Sequence, residues 1–186
     1  MLIEVMVRNN KKRRNIMYFH KDIKVKTVQN RVSYHDITNE AKAIVEESGI
    51  KNGIITLTSS HTTCSLYFEE YMHDKNYYGD EYLQVDISEV MDNIVPRCVT
   101  EGQYNSPGPE HIEFGLGLTD PNYPAEAWTM LNTDAHIKSS IYGTNSQTII
   151  IKDGELRLGS LGKIYFADWD ILRERNRTVN VLVMGE

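Results

Sequence analysis

The chain has 186 residues, with 26 acidic against 20 basic side chains and a formal net charge of −6. That length suits one domain with a core of its own, and the acidic balance excludes a protein that grips nucleic acid through its phosphates. No apolar run approaches the roughly 20 residues of a membrane span; residues 1–20 lack the apolar centre of a signal peptide, and two cysteines make no secreted-type disulfide framework, so the expectation is a cytoplasmic protein with no membrane partner.

Residues 1–23 read as an N-terminal extension, with Leu2–Val7 apolar enough for a strand and Lys11–Arg14 a short solvated basic turn. A single domain is expected over residues 24–186. Lys24–Gln29 alternates as a half-buried strand does. Asp36 or Thr38 can cap a helix whose Ile37, Ala41, Ile44 and Val45 share one face, and Ser48-Gly49 closes it. The stretch Gly53–Glu70 then carries an apolar run into the polar knot Ser59-Ser60-His61-Thr62-Thr63-Cys64 and out again through Leu66–Phe68 to Glu69 and Glu70. Such groups are costly to bury unpaired, so the knot is either a hydrogen-bonded turn between two strands or the wall of a site. Leu83, Ile87, Val90 and Ile94 predict a second helix with a buried stripe, ended by Pro96. From about residue 105 to 131 the pattern dissolves into a long loop insertion holding Pro107, Pro109, Pro121 and Pro124. Asn132–Tyr142 reads as a third helix that puts Asn132 and His136 on one face, stopped by Gly143. Beyond it, Gln147–Lys152 and Glu155–Leu158 flank the type I′ turn signal Asp153-Gly154, and Lys163–Trp169 and Thr178–Met184 alternate as two more strands. The class is α+β, with two or three helices on predominantly antiparallel sheets.

Three histidines sit in settings that suit chemistry. His61, His111 and His136, backed by Glu70, Asp86 or Asp134, could make an open three-ligand site for a divalent metal such as Zn²⁺, although no HExxH or paired CxxC spacing is present. Cys64 as a nucleophile with His61 as base is disfavoured, because positions three apart on a strand face opposite sides. An anion site is better supported. Ser60, Thr62 and Thr63 offer hydroxyls, the helix opening near Asn132 offers free N–H groups, and Lys138 with Arg173, Arg175 and Arg177 offers charge. The alternative for that arginine row is pairing with Asp168, Asp170 and Glu174 at a solvated hairpin tip.

Taken together these residues resemble the YjbQ-like family, small proteins associated with secondary thiamine-phosphate synthase activity. The resemblance runs from about Ser33 to the end. It rests on Asp36-Ile37-Thr38, Ser48-Gly49-Ile50, His61-Thr62-Thr63-Cys64-Ser65-Leu66, Glu70, Asn132-x-x-Ala135-His136-Ile137-Lys138-Ser139-Ser140, and Ser146-x-x-Ile149-x-Ile151-x-x-Gly154 with Leu158-Gly159. It implies layered mixed β-sheets and a homotrimer. It also implies a transferase that joins a pyrimidine pyrophosphate to a thiazole phosphate and releases pyrophosphate. Mg²⁺ would then offset leaving-group charge, no organic cofactor is expected, and His61, His136 and Glu70 would be the catalytic residues, with Ser60, Thr62, Thr63, Asn132, Lys138, Arg173 and Arg175 binding substrate. The chain departs from the family pattern at Gly159-Ser160-Leu161-Gly162, where the family has Gly-Thr-Trp-Gln, at Tyr104-Asn105-Ser106 for Tyr-x-His, and at Glu69-Glu70 for Asn-Glu. Two other readings stay open: a non-catalytic metal- or phosphate-binding trimer, and a metal-assisted hydrolase.

Overall fold

A computed structural model of the chain describes residues 16–118 and 126–186; Leu2–Val7, Lys11–Arg14 and residues 119–125 of the insertion lie outside the described residues. The elements in chain order are β1 (Met17–Lys26), β2 (Ser33–Asp36), α1 (Thr38–Ser48), β3 (Gly53–Ser59), β4 (Cys64–Glu70), α2 (Tyr82–Ile94) and α3 (Pro109–Leu116). A 3-10 turn (Ala127–Met130), α4 (Thr133–Ile141), β5 (Ser146–Lys152), β6 (Glu155–Leu156), β7 (Gly162–Asp168) and β8 (Asn176–Gly185) complete it. Two sheets form, ordered β1-β8-β3-β5-β6 and β2-β7-β4, and every pairing among the named strands is antiparallel.

The alternation of the strands builds the layers. Ile55 and Leu57 of β3, Val179, Val181 and Val183 of β8, and Ile23 and Val25 of β1 face inward from the larger sheet. They meet Ile164 and Phe166 of β7 and Leu66 of β4, while α1 adds Ile37, Ala41, Ile44 and Val45 to the same core. The smaller sheet is buried on both faces, so β7 reads as a continuous apolar run. Its other face, carrying Tyr67, Tyr165, Ala167 and the following Trp169, packs on Met91 of α2 and Ala135 of α4. Side chains of this size each contribute about 1.5–3 kcal/mol when fully buried.

Local signals work as their chemistry requires. Asp36 Oδ1 accepts the Thr38 N–H at 2.9 Å to open α1, and Gly49 closes it at φ +70°. Asp153 and Gly154 both have positive φ in the β5–β6 turn, as a type I′ hairpin demands. Three features differ from the sequence expectation. The first strand begins at Met17, because ten-residue β8 pairs it along its whole length. A fourth helix, α3, forms inside the insertion, with Pro109 in its first turn, a position where a missing N–H costs nothing. The stripe on α2 is only partly covered: Val90 is 54% and Ile94 62% exposed, while Gln84, Met91 and, just past the helix, Val95 are buried, so the helix turns a neighbouring face inward. No helix among the described residues is long and apolar enough to cross a membrane.

Candidate functional site

The polar knot is a corner. At Ser59 the chain leaves the larger sheet, turns through His61–Cys64 with Cys64 N–H donating to His61 O at 3.1 Å, and enters the smaller sheet as β4. The β3–β8 register ends at Ser59–Val179, so the next β8 residue, Thr178, has no strand partner on that side. His61 supplies one: its Nε2 accepts the Thr178 N–H at 3.0 Å. The imidazole is thereby a neutral ring with Nε2 as acceptor. Burial holds its pKa below the ordinary 6.5, and the Arg177 guanidinium pushes the same way.

Beneath the corner lies a network joining both sheets. Asp168, fully buried at the end of β7, accepts Arg177 Nε at 2.7 Å and the Thr63 hydroxyl at 3.0 Å. The Arg177 guanidinium also donates to Thr63 Oγ1 at 3.0 Å. Asp170 takes Arg175 at 3.1 Å and the Asn132 amide at 3.3 Å, and burial raises its pKa. The expected pairing of the arginine row with Asp168 and Asp170 is therefore present, but it is buried and not a solvated hairpin tip. Two are fixed by buried carboxylates, which sets the planes of their forks.

These fixed arginines open on one cavity of about 480 Å³, shared by His111, Asn132, His136, Arg173, Arg175 and Arg177. The start of α4 lies there too, where the first N–H groups of a helix have no partner within it. Ser60, His61 and Thr62 line a separate space of about 490 Å³ with Ser139, Ser140 and Thr144; the Ser139 hydroxyl, bonded to Thr62 O at 2.7 Å, ties α4 to the corner. The expected site residues thus divide. His111 and His136 share a cavity with Asn132, Arg173 and Arg175, while His61 does not line it and Thr63 is consumed by Asp168 and Arg177. Lys138 lies elsewhere, 3% exposed and bonded to Asp134 at 2.9 Å and to Asp92. Glu70, at the far end of the seven-residue strand from Cys64, stands roughly 20 Å from the corner at strand rise.

The three-histidine metal centre is not assembled within the chain: among the described residues no three His, Cys, Asp or Glu side chains gather to hold an ion, and His61 Nε2 is already occupied. Cys64 is 4% exposed, and burial, with Asp168 beside it, pushes its thiol well up, so it is a packing residue. The residues that sequence reading underweighted are Asp168, Asp170 and Arg177. Their signal was the matched spacing Asp-x-Asp and Arg-x-Arg at the two ends of the segment that joins β7 to β8.

Comparison with known proteins agrees with this architecture. The family model described as UPF0047 protein YjbQ-like matches residues 21–186. A UPF0047 protein of Methanocaldococcus jannaschii is 31% identical over 147 residues, covering 79% of this chain and 83% of the relative. Another, from Methanothermobacter thermautotrophicus, is 28% identical over 156 residues, covering 84% and 85%. Among solved structures, a YbjQ-like protein of unknown function from Sulfolobus solfataricus superimposes with a TM-score of 0.66 at 23% identity, over 92% of this chain and all of that one. A yjbq/upf0047-family protein from Clostridium acetobutylicum gives 0.61 at 29% identity, over 88% and 98%.

Proposed function

The chain belongs to the YjbQ-like UPF0047 family, and from that premise we propose that it is an enzyme acting on a small phosphorylated metabolite held in the arginine cavity. The observation that carries this reading is the convergence of Arg173, Arg175 and Arg177 with His111, His136 and Asn132 on one space. The Arg175 and Arg177 guanidinium forks, held by buried carboxylates, match phosphate oxygens without paying to be ordered at the moment of binding. A transferase that expels pyrophosphate fits such a cavity best, the arginines taking the charge that develops on the leaving group and His136 moving a proton. Thiamine-phosphate synthesis from a pyrimidine pyrophosphate and a thiazole phosphate is the specific reaction of that class we put forward. With no metal-holding carboxylate cluster among the described residues, Mg²⁺ would arrive bound to the substrate's phosphates, as that ion commonly does. His61 would act through position, bracing the β8 backbone next to Arg177. The open α2 face around Val90 and Ile94 suits burial against further copies in a trimer, and the two free buried cysteines suit a reducing cytoplasm.

The test combines turnover with binding. Purified protein, the two thiamine precursors and Mg²⁺ should release pyrophosphate well above a His136→Ala control; equal rates would refute the synthase reading. Pyrophosphate titrated calorimetrically should bind the wild type and lose at least tenfold in affinity in Arg173→Ala, about 1.4 kcal/mol. Binding without turnover would select a non-catalytic phosphate binder instead. A monomer in sedimentation at micromolar concentration would refute the trimer.

A further inference from the structure

On the far side of α4 from the corner, another cavity of about 260 Å³ lies between α2, α4 and the outer edge of the smaller sheet. It falls just under the ~300–1,000 Å³ of pockets that hold drug-sized ligands, which suits a small metabolite.

Its wall holds donors that open on the cavity. Gln84 is 6% exposed, and its Oε1 accepts the Glu81 N–H at 3.0 Å in the capping box of α2. That bond fixes the amide, leaving Nε2 without a partner among the described residues. Lys138 Nζ donates to Asp134 and to Asp92, so one of its three protons is unspent. Donors that face a cavity in this way are ready partners for ligand oxygens. One turn beyond Ser88, half-exposed Asp92 gives one oxygen to Lys138 and keeps the other. The lining is also balanced in charge: Arg31, Arg97 and Lys138 stand against Asp80, Asp92 and Asp134. A simple anion would meet three carboxylates there and a simple cation three cations. The remaining wall is aromatic, with Tyr34 and Trp169 edge to face at 6.1 Å.

We propose that this cavity is a binding site for a small zwitterion of the α-amino-acid type, separate from the arginine cavity. The ligand carboxylate accepts from Gln84 Nε2 and Lys138 Nζ, its ammonium donates to Asp92, and an apolar side chain lies against Tyr34 and Trp169.

The experiment is calorimetric titration of the intact chain with the standard α-amino acids, each alone. L-phenylalanine is then compared with phenethylamine, which lacks the carboxylate, and 3-phenylpropionate, which lacks the ammonium. At least one apolar amino acid should bind with Kd near or below about 1 mM, with each single-charge analogue tenfold weaker or more. Asp92→Asn should weaken binding about tenfold, and Val85→Phe, which fills the space, should abolish it. Should Val85→Phe not fold, Asp92→Asn decides, since that carboxylate is half exposed and Lys138 keeps Asp134. Pyrophosphate binding in the arginine cavity should be unchanged in both variants. No binding by any amino acid at ~10 mM, analogues equal to the zwitterion, or a folded Asp92→Asn that binds as the wild type does would each overturn the proposal.

Discussion

Arg177→Ala removes the guanidinium that bridges the two sheets and leaves the fully buried Asp168 carboxylate with only the Thr63 hydroxyl at 3.0 Å and the Asp170 N–H at 3.1 Å. Breaking a buried pair from one side costs about 3–5 kcal/mol, because a charge is left uncompensated. The Arg177 side chain is 11% exposed, and water reaching the vacated space softens the loss, so about 3 kcal/mol is expected. For a chain of this size that is a fall of about 6–12 °C in Tm. Urea denaturation at pH 7, followed by far-UV circular dichroism, measures it directly. Adding Asp168→Asn to the variant removes the stranded charge and should restore at least half of the loss. The His61 ring, relieved of its cationic neighbour, should titrate at higher pH by NMR. A loss under about 1 kcal/mol, or a double variant less stable than Arg177→Ala, would show that the pair is not what joins the sheets.

Acid should weaken the fold through two buried histidines. His35 and His61 are both held below 6.5 by burial, with Arg31 and Arg177 adding to it. The unfolded chain therefore takes up protons as pH drops through 6.5, where the folded chain does not. Stability from these groups is fully present above pH 6.5 and is lost as pH falls from there toward the lowered folded values. Urea midpoints from pH 8 to 5 should decline below 6.5, less steeply in His61→Ala; a flat profile refutes the assignment. At Gly162 an added Cβ would meet the Phe68 ring at 2.0 Å and Leu158 O at 2.4 Å. Gly162→Ala should cost about 1–3 kcal/mol and be relieved only in part by Phe68→Ala, since the carbonyl stays. Wild-type stability in Gly162→Ala would contradict the packing.

The Phe68 ring and the Leu158 carbonyl fill the space that any side chain at residue 162 would need. Elements were legible wherever the signal was local. Asp36, Gly49 and Asp153-Gly154 act through bonds within a few residues, and the sequence contains all the partners. The α2 stripe was not, because its period says which residues share a face and not which of two adjoining faces the core takes; the polar Gln84 lies on the buried one. Nor was the division of the histidines. Their motifs place His61 on a turn and His136 on a helix, but which side of α4 each reaches depends on Ser139 docking against Thr62. Glu70 lies close to His61 in sequence and far from it in space because an extended strand separates them.

The aromatic layer beneath α2 and α4 also gives the molecule a pair of optical reporters. Trp169, 1% exposed, donates from Nε1 to Ser65 Oγ at 3.0 Å and abuts Tyr34 and Tyr142. Trp128, the chain's only other tryptophan, is 44% exposed in the 3-10 turn next to Thr129 and Met130 of the arginine cavity. Their emission separates by environment, blue for the enclosed indole and red for the wet one. In Trp128→Phe the remaining fluorescence follows the inner core alone. The difference from the wild type follows the insertion, so one cuvette resolves events at the cavity from loss of the fold.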